Sequence, residues 1–297
     1  MNIEDAVVES IVEAVLQQIG RGQGVATHAN PAAVAPAVRS QVGEACTPPP
    51  RPTHAVVDPI DDAMLGRLVA LTPSQIAMGR AGNRFRTADY LRQREGYADA
   101  RDAVHSEVPA DWAGRNNLIA LHTQCSERNE YLLYPNKGRR LNAASLAALA
   151  QYAGTAPDVQ LIVGDGLSPN AIVQNGEATL RAMVRAFGGA GFRVGPLCFV
   201  KYARIAVADE IGVLTRARAS VILVGERPGL GTGDSLSVYI GVAPKLGQDN
   251  AEKNCISNVR PIGIAPEEAA AQTVAILRRG FERGVGGVAL GLGWGRR

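Results

Sequence analysis

The sequence predicts an α/β fold: a Rossmann-like, open, mainly parallel sheet with flanking helices, preceded by an N-terminal amphipathic helix on a linker. Three observations predict it. Residues 159–163 (Val-Gln-Leu-Ile-Val) and 220–224 (Ser-Val-Ile-Leu-Val) are short apolar runs rich in β-branched residues, as strands buried on both faces of a sheet require. Between the strand candidates lie segments with helical signals. The resulting β-α-β-α-β order calls for parallel strands joined by right-handed crossovers.

Each element has a local reason. After strand 159–163, Asp165-Gly166-Leu167 is a turn; Ser168 is an N-cap and Pro169 suits the first helical position, opening a helix to about Phe187. Residues 192–200 read as the next strand, 207–214 as a short helix and 220–224 as the third strand. Residues 236–242 (Leu-Ser-Val-Tyr-Ile-Gly-Val) read as a further strand, and a last helix spans about 266–282. Upstream, residues 87–107 read as a helix with Thr87 as its N-cap. Before it, the turn 79–87 carries three arginines beside two glycines, which suits either a solvated turn or a contact with an anion or a subunit. Ile3, Val7, Ile11, Val15 and Ile19 are spaced by four, with Asn2 as cap and Gly20 as stop, so residues 1–20 form the amphipathic helix. Gly, Ala and Pro then dominate residues 21–59, densest at Thr47-Pro48-Pro49-Pro50-Arg51-Pro52, as in a linker. The expected organisation is a helix (1–20), a linker (21–59) and one α/β domain (60–297). The helix either folds back on its own domain or docks a partner or shell, and the linker favours docking.

Composition narrows the function classes. The chain has 297 residues, 46% of them apolar, and a formal net charge of only +3, which makes no case for a nucleic-acid partner. Lys137, Lys201, Lys245 and Lys253 are its only lysines; the remaining basic residues are arginines, suited to carboxylates, phosphates and planar groups. Cys46, Cys125, Cys198 and Cys255 have no C-x-x-C spacing, and the four histidines form no H-E-x-x-H, so no metal site is expected. No apolar run is long enough to span a membrane, and Glu4, Asp5, Glu9 and Glu13 are unlike a basic secretory leader. The expected setting is reduced and cytoplasmic.

In open parallel sheets, ligands bind outside the carboxyl ends of the strands. Three loops should share that edge: 165–168, 201–205 and 225–229. Gly225-Glu226-Arg227-Pro228-Gly229-Leu230-Gly231 is no dinucleotide fingerprint, because a strand follows it and not a helix. From the pattern alone these loops are either ordinary turns or a ligand site of unspecified chemistry, and Glu226 either meets a ligand or pairs with Arg227 or another surface arginine.

Several blocks carry a resemblance: Gly79-Arg80-Ala81-Gly82 with Arg86-Thr87; Asp165-Gly166-Leu167-Ser168; the glycine-rich block 225–231; Cys255-Ile256-Ser257-Asn258; and Glu267-Glu268-Ala269-Ala270-Ala271. In order and spacing, residues 75 to 288 resemble the small (light) subunit of ethanolamine ammonia-lyase, a carbon–nitrogen lyase (EC 4.3.1.7). The resemblance implies a subunit that is not active alone. A large TIM-barrel subunit carries the substrate site, and this chain caps adenosylcobalamin against it for radical conversion of ethanolamine to acetaldehyde and ammonia. It implies cofactor contacts at Ile205, Glu226 and Cys255, and no catalytic or metal-binding residue in this chain. Glu226 would accept a hydrogen bond from a corrin amide, Cys255 would be a contact and no nucleophile, and Gly225, Gly229 and Gly231 would let backbone lie close to the macrocycle. The D-x-H-x-x-G motif that replaces the cofactor's lower base elsewhere is absent, which fits base-on binding.

The sequence departs from the family where Ile205 replaces the commoner valine, where Asn83 and Phe85 replace proline, across residues 20–60, and in the tail 291–297. In bacteria that pack this enzyme in a microcompartment, the helix at 1–20 would suit a shell-targeting peptide. Two other classes compete: a self-sufficient nucleotide-binding α/β enzyme, and a non-catalytic assembly subunit.

Overall fold

The computed structural model describes residues 54–291 except Pro73; the expected helix at 1–20, linker residues 21–53 and the tail from 292 lie outside the described residues. Six strands form one sheet: β1 (Ile119–His122), β2 (Val159–Gly164), β3 (Cys198–Lys201), β4 (Ala219–Gly225), β5 (Leu236–Val242) and β6 (Lys253–Val259). Their spatial order is β1-β3-β2-β4-β5-β6. The first four are parallel, and β5 and β6 complete the sheet as antiparallel hairpin partners. A mainly parallel α/β sheet flanked by helices is thus observed.

The helices used below are α1 (Asp62–Ala70), α2 (Thr87–His105), α3 (Ala143–Leu149), α4 (Glu177–Gly189), α5 (Val207–Thr215) and α6 (Pro266–Arg283). Strand side chains alternate between faces, and both faces are covered. Leu161, Val163, Val221 and Leu223 pack with Met183 and Phe187 of α4 and Ala270 and Leu277 of α6. Ile162, Ile222 and Val224 point the other way, into a cluster with Leu149 of α3 and Val207 and Ile211 of α5. This double burial explains why β2 and β4 read as unbroken apolar runs. Among the described residues, no helix is long and apolar enough to cross a membrane.

Three expectations need correction. The strand expected at 192–200 begins only at Cys198. Upstream, Val194 makes a single bridge to Val159. The apolar side chain of Phe192 packs edge-on to Phe281 of α6, its ring centroid 5.5 Å away. Thr87 is not the N-cap of α2: Arg86 is, with no side-chain cap bond. Buried Asp89, in the first turn, instead accepts the Gly79 N–H at 3.1 Å and Arg92 at 3.3 Å. The helix expected from 168 starts as foreseen, with Ser168 accepting the Ala171 N–H and Pro169 at the first position. It then passes through a π-turn at Ile172–Gly176 before α4. There the Asn175 amide leaves the helix to donate to the Asp234 carbonyl at 2.8 Å.

One buried ion pair ties α5 to the start of β6. Lys253 Nζ lies 3.0 Å from Asp209 Oδ2, with both side chains almost fully enclosed. The same ammonium donates to the Gln248 carbonyl at 2.9 Å, fixing the β5–β6 connection. Lys253→Met would strand the Asp209 carboxylate in the interior, a loss that typically costs roughly 3–5 kcal/mol. Urea denaturation of the chain should show that loss, and Asp209→Asn added to Lys253→Met should recover part of it.

Candidate functional site

The carboxyl ends of the parallel strands open into a cavity of about 840 Å³. Leu167 reaches it from the loop after β2, Ala203 to Ala206 from the loop after β3, and Gly225, Glu226 and Arg227 from the end of β4. Ser237 and Tyr239 of β5, Cys255 and Ser257 of β6, and residues 246–250 between those strands complete one wall. The three loops expected at one edge therefore share one cavity, and Ile205, Glu226 and Cys255 all line it.

The loops rest on one another through missing side chains. A Cβ on Gly225 would stand 2.0 Å from the Ser168 carbonyl oxygen. One on Gly166, at φ +62°, would meet the Gly225 oxygen at 2.5 Å. Leu167 N–H donates to that same Gly225 oxygen at 3.1 Å. Gly225 therefore has an internal reason to be glycine, loop on strand, in place of the ligand approach expected from sequence. Gly231 lies at φ +74° and so turns the loop. Arg128, itself buried, knits this region by donating to the carbonyls of Val104, Gly166 and Leu167 at 2.6, 2.8 and 3.0 Å.

The loop after β3 is held just as firmly. Tyr202 sits at φ +59°, a left-handed backbone unusual for a bulky residue. Its hydroxyl donates to Glu107 at 2.8 Å, and its carbonyl accepts from the Thr123 hydroxyl at 3.1 Å. Ala203 next to it donates its N–H to Asp165 at 3.2 Å and accepts from the Tyr131 hydroxyl at 3.1 Å. That anchoring presents Arg204 and half-buried Ile205 to the cavity, just before α5. Ile205 packs its inner side on the core cluster under α5.

Glu226 does not pair with Arg227. Its carboxylate accepts from the Ser235 hydroxyl at 2.7 Å, from the Ser237 hydroxyl, and from the Asn258 N–H at 3.1 Å. Its own N–H donates to the Ser235 carbonyl at 3.0 Å. The carboxylate is thus an oriented acceptor at the cavity wall. Cys255 lies across the ladder from Tyr239, with Sγ 3.9 Å from the Ser237 hydroxyl oxygen. Desolvation raises its thiol pKa above the ordinary value, and the Glu226 carboxylate adds to this; hydrogen bonds with Tyr239 and Ser237 oppose it. A neutral thiol is a packing and hydrogen-bonding group. Among the described residues, no group of three or more His, Cys, Asp or Glu could hold a metal ion.

Sequence reasoning missed Ser235, Ser237, Tyr239 and Arg128. Three of these carried a usable signal: Ser235, Ser237 and Tyr239 alternate with apolar Leu236 and Val238, so they share one face of a strand. Arg128 carried none, because its three acceptors lie 24 to 39 residues away in sequence.

A family model described as ethanolamine ammonia-lyase light chain matches residues 62–291. The ethanolamine ammonia-lyase small subunit of Clostridium perfringens is 36% identical over 235 residues, covering 79% of this chain and 80% of that protein.

Asp165 is fully enclosed beneath the cavity, and burial pushes its carboxyl up to about 7, against the opposing pull of Arg128 and the Ala203 and Tyr202 N–H groups. The folded chain then holds this proton more tightly than the unfolded chain does. The associated stability is complete at acid pH and is lost as pH rises through about 7. Asp165→Asn removes the titration, so the Tm of the parent relative to this variant should fall as pH rises from about 4 to about 7 and level off above that. A pH-independent difference would show that Asp165 ionises alike in both states.

Proposed function

This chain belongs to the ethanolamine ammonia-lyase light-chain family, and from that premise we propose that its sheet-edge cavity is one half of a cobalamin site, closed by the large subunit. One observation carries the reading. Ile205, Glu226 and Cys255, spread over 51 positions of sequence, line a single cavity at the edge where α/β sheets bind ligands. The residues fit the group. Ile205, Leu167 and Val224 offer apolar surface to the methyl-bearing rim of a corrin. Glu226, oriented by Ser235, Ser237 and Asn258, offers an acceptor to a corrin amide N–H, and Cys255 adds a neutral thiol. A cavity of about 840 Å³ open on one side suits a large cofactor shared between two chains.

When bound, adenosylcobalamin supplies the radical for converting ethanolamine to acetaldehyde and ammonia. This chain's part is to bind and orient the corrin and to shield it from water, with the cofactor base-on and the fold acting as a Rossmann-like cap over residues 60–297. The substrate groups belong to the partner, so the chain is inactive alone. Residues 1–20 are assigned to docking on a microcompartment shell within the cytoplasm. A fluorescent protein fused to residues 1–22 tests this, by recruitment to assembled shells against diffuse fluorescence.

Co-expression of this chain with its large subunit tests the function. Acetaldehyde release should require both chains and adenosylcobalamin; release by the large chain alone would overturn the reading. In the assembled complex, Glu226→Ala should weaken cobalamin binding about ten- to a hundred-fold, the weight of one charged hydrogen bond of roughly 1.5–3 kcal/mol. Unchanged affinity in an intact complex would remove Glu226 from the site.

A further inference from the structure

The cavity carries more positive charge than corrin contacts need. Arg139, Arg140, Arg204 and Arg227 line it, against the carboxylates of Glu226 and Asp249 alone. Arg140 is engaged with Glu210 at 3.3 Å. Arg139 and Arg227 form no ion pair among the described residues, and Glu226 is occupied by Ser235, Ser237 and Asn258. Arg204 is held in place. Its Nη2 donates to the Tyr131 carbonyl at 2.9 Å, and its guanidinium lies 4.2 Å above the Tyr131 ring centroid. Its Nε is enclosed, and its Nη1 makes no hydrogen bond among the described residues, so the protein leaves part of the fork unused. Arg204 N–H also donates to the Gly138 carbonyl at 2.8 Å, which brings the backbone of neighbouring Arg139 alongside. Two guanidinium-bearing residues thus share one side of the cavity, and Arg227 enters from β4.

We propose that Arg204, Arg139 and Arg227 hold the phosphodiester of the cofactor's nucleotide tail. The inference rests on the cobalamin reading above and names a subsite within it. The amides that ring a corrin are neutral. The phosphodiester linking the corrin to its lower base carries the negative charge of the tail. A half-desolvated wall with excess cation selects such a group, and the planar fork of an arginine matches two phosphate oxygens at once. The stack of Arg204 on Tyr131 fixes that fork in advance, so less side-chain freedom is lost on binding.

The test compares two corrins on the assembled complex with the large subunit: cyanocobalamin, and cyanocobinamide, which has the same ring and lacks the nucleotide tail. Binding is read by equilibrium ultrafiltration and corrin absorbance, without turnover. Arg139→Gln with Arg227→Gln changes exposed residues and leaves the fold intact; Arg204→Lys keeps the charge and removes the fork. Each should weaken cyanocobalamin about tenfold or more and leave cyanocobinamide unchanged. Equal losses for both corrins, or no loss for either, would overturn the phosphate assignment while leaving the cobalamin reading standing. A parent complex that binds neither corrin would overturn both.

Discussion

A missing methyl group at residue 225 organises the functional edge of this protein. With only hydrogen there, the Ser168 carbonyl can sit where a Cβ would be 2.0 Å away. The loop after β2 therefore lies directly on the end of β4. From that position Leu167 bonds the Gly225 carbonyl, and Ser168 both caps the next helix and donates to Gly233. The 226–235 loop is thus pinned at its far side, and Glu226 meets Ser235, Ser237 and Asn258 in one geometry. Any larger residue at 225 would have to move backbone and not a side chain, which makes this a constraint on the site's whole architecture.

How much of this was legible in the sequence depended on burial. β2, β4 and β5 are enclosed and declare themselves by apolar, β-branched runs. β6 is the sheet edge, buried only at Lys253, Ile256 and Val259 of Lys-Asn-Cys-Ile-Ser-Asn-Val, too polar and without the alternation that reads as a strand. β1, four residues long and partly exposed at the opposite edge, is too short for a pattern. Residues 192–197 mislead because Phe192 is apolar to fill a gap between α4 and α6 and not to join the sheet. The cavity's position followed from strand order alone. Its supports did not, since Arg128, Asp165 and Tyr202 act through partners distant in sequence, and buried polar residues give no periodicity.

The chemistry of the wall is that of a binding surface. The carboxylate is saturated by its own chain's donors along one side, and the thiol is kept neutral by desolvation. Both are held in place by hydrogen bonds from their own chain. Rigid, pre-oriented groups favour a cofactor by reducing the ordering cost of binding. The Lys253–Asp209 pair serves the same end from behind, holding the 246–250 wall through Gln248. On the proposal above, a second protein surface completes this open cavity, which agrees with membership in a family of small subunits.

The most direct measurement is the structure of this chain assembled with its large subunit and cobalamin. The account predicts corrin density in the cavity between the two chains, touching Ile205, Glu226 and Cys255. A corrin bound away from that edge, or enclosed by the large subunit alone, would contradict it.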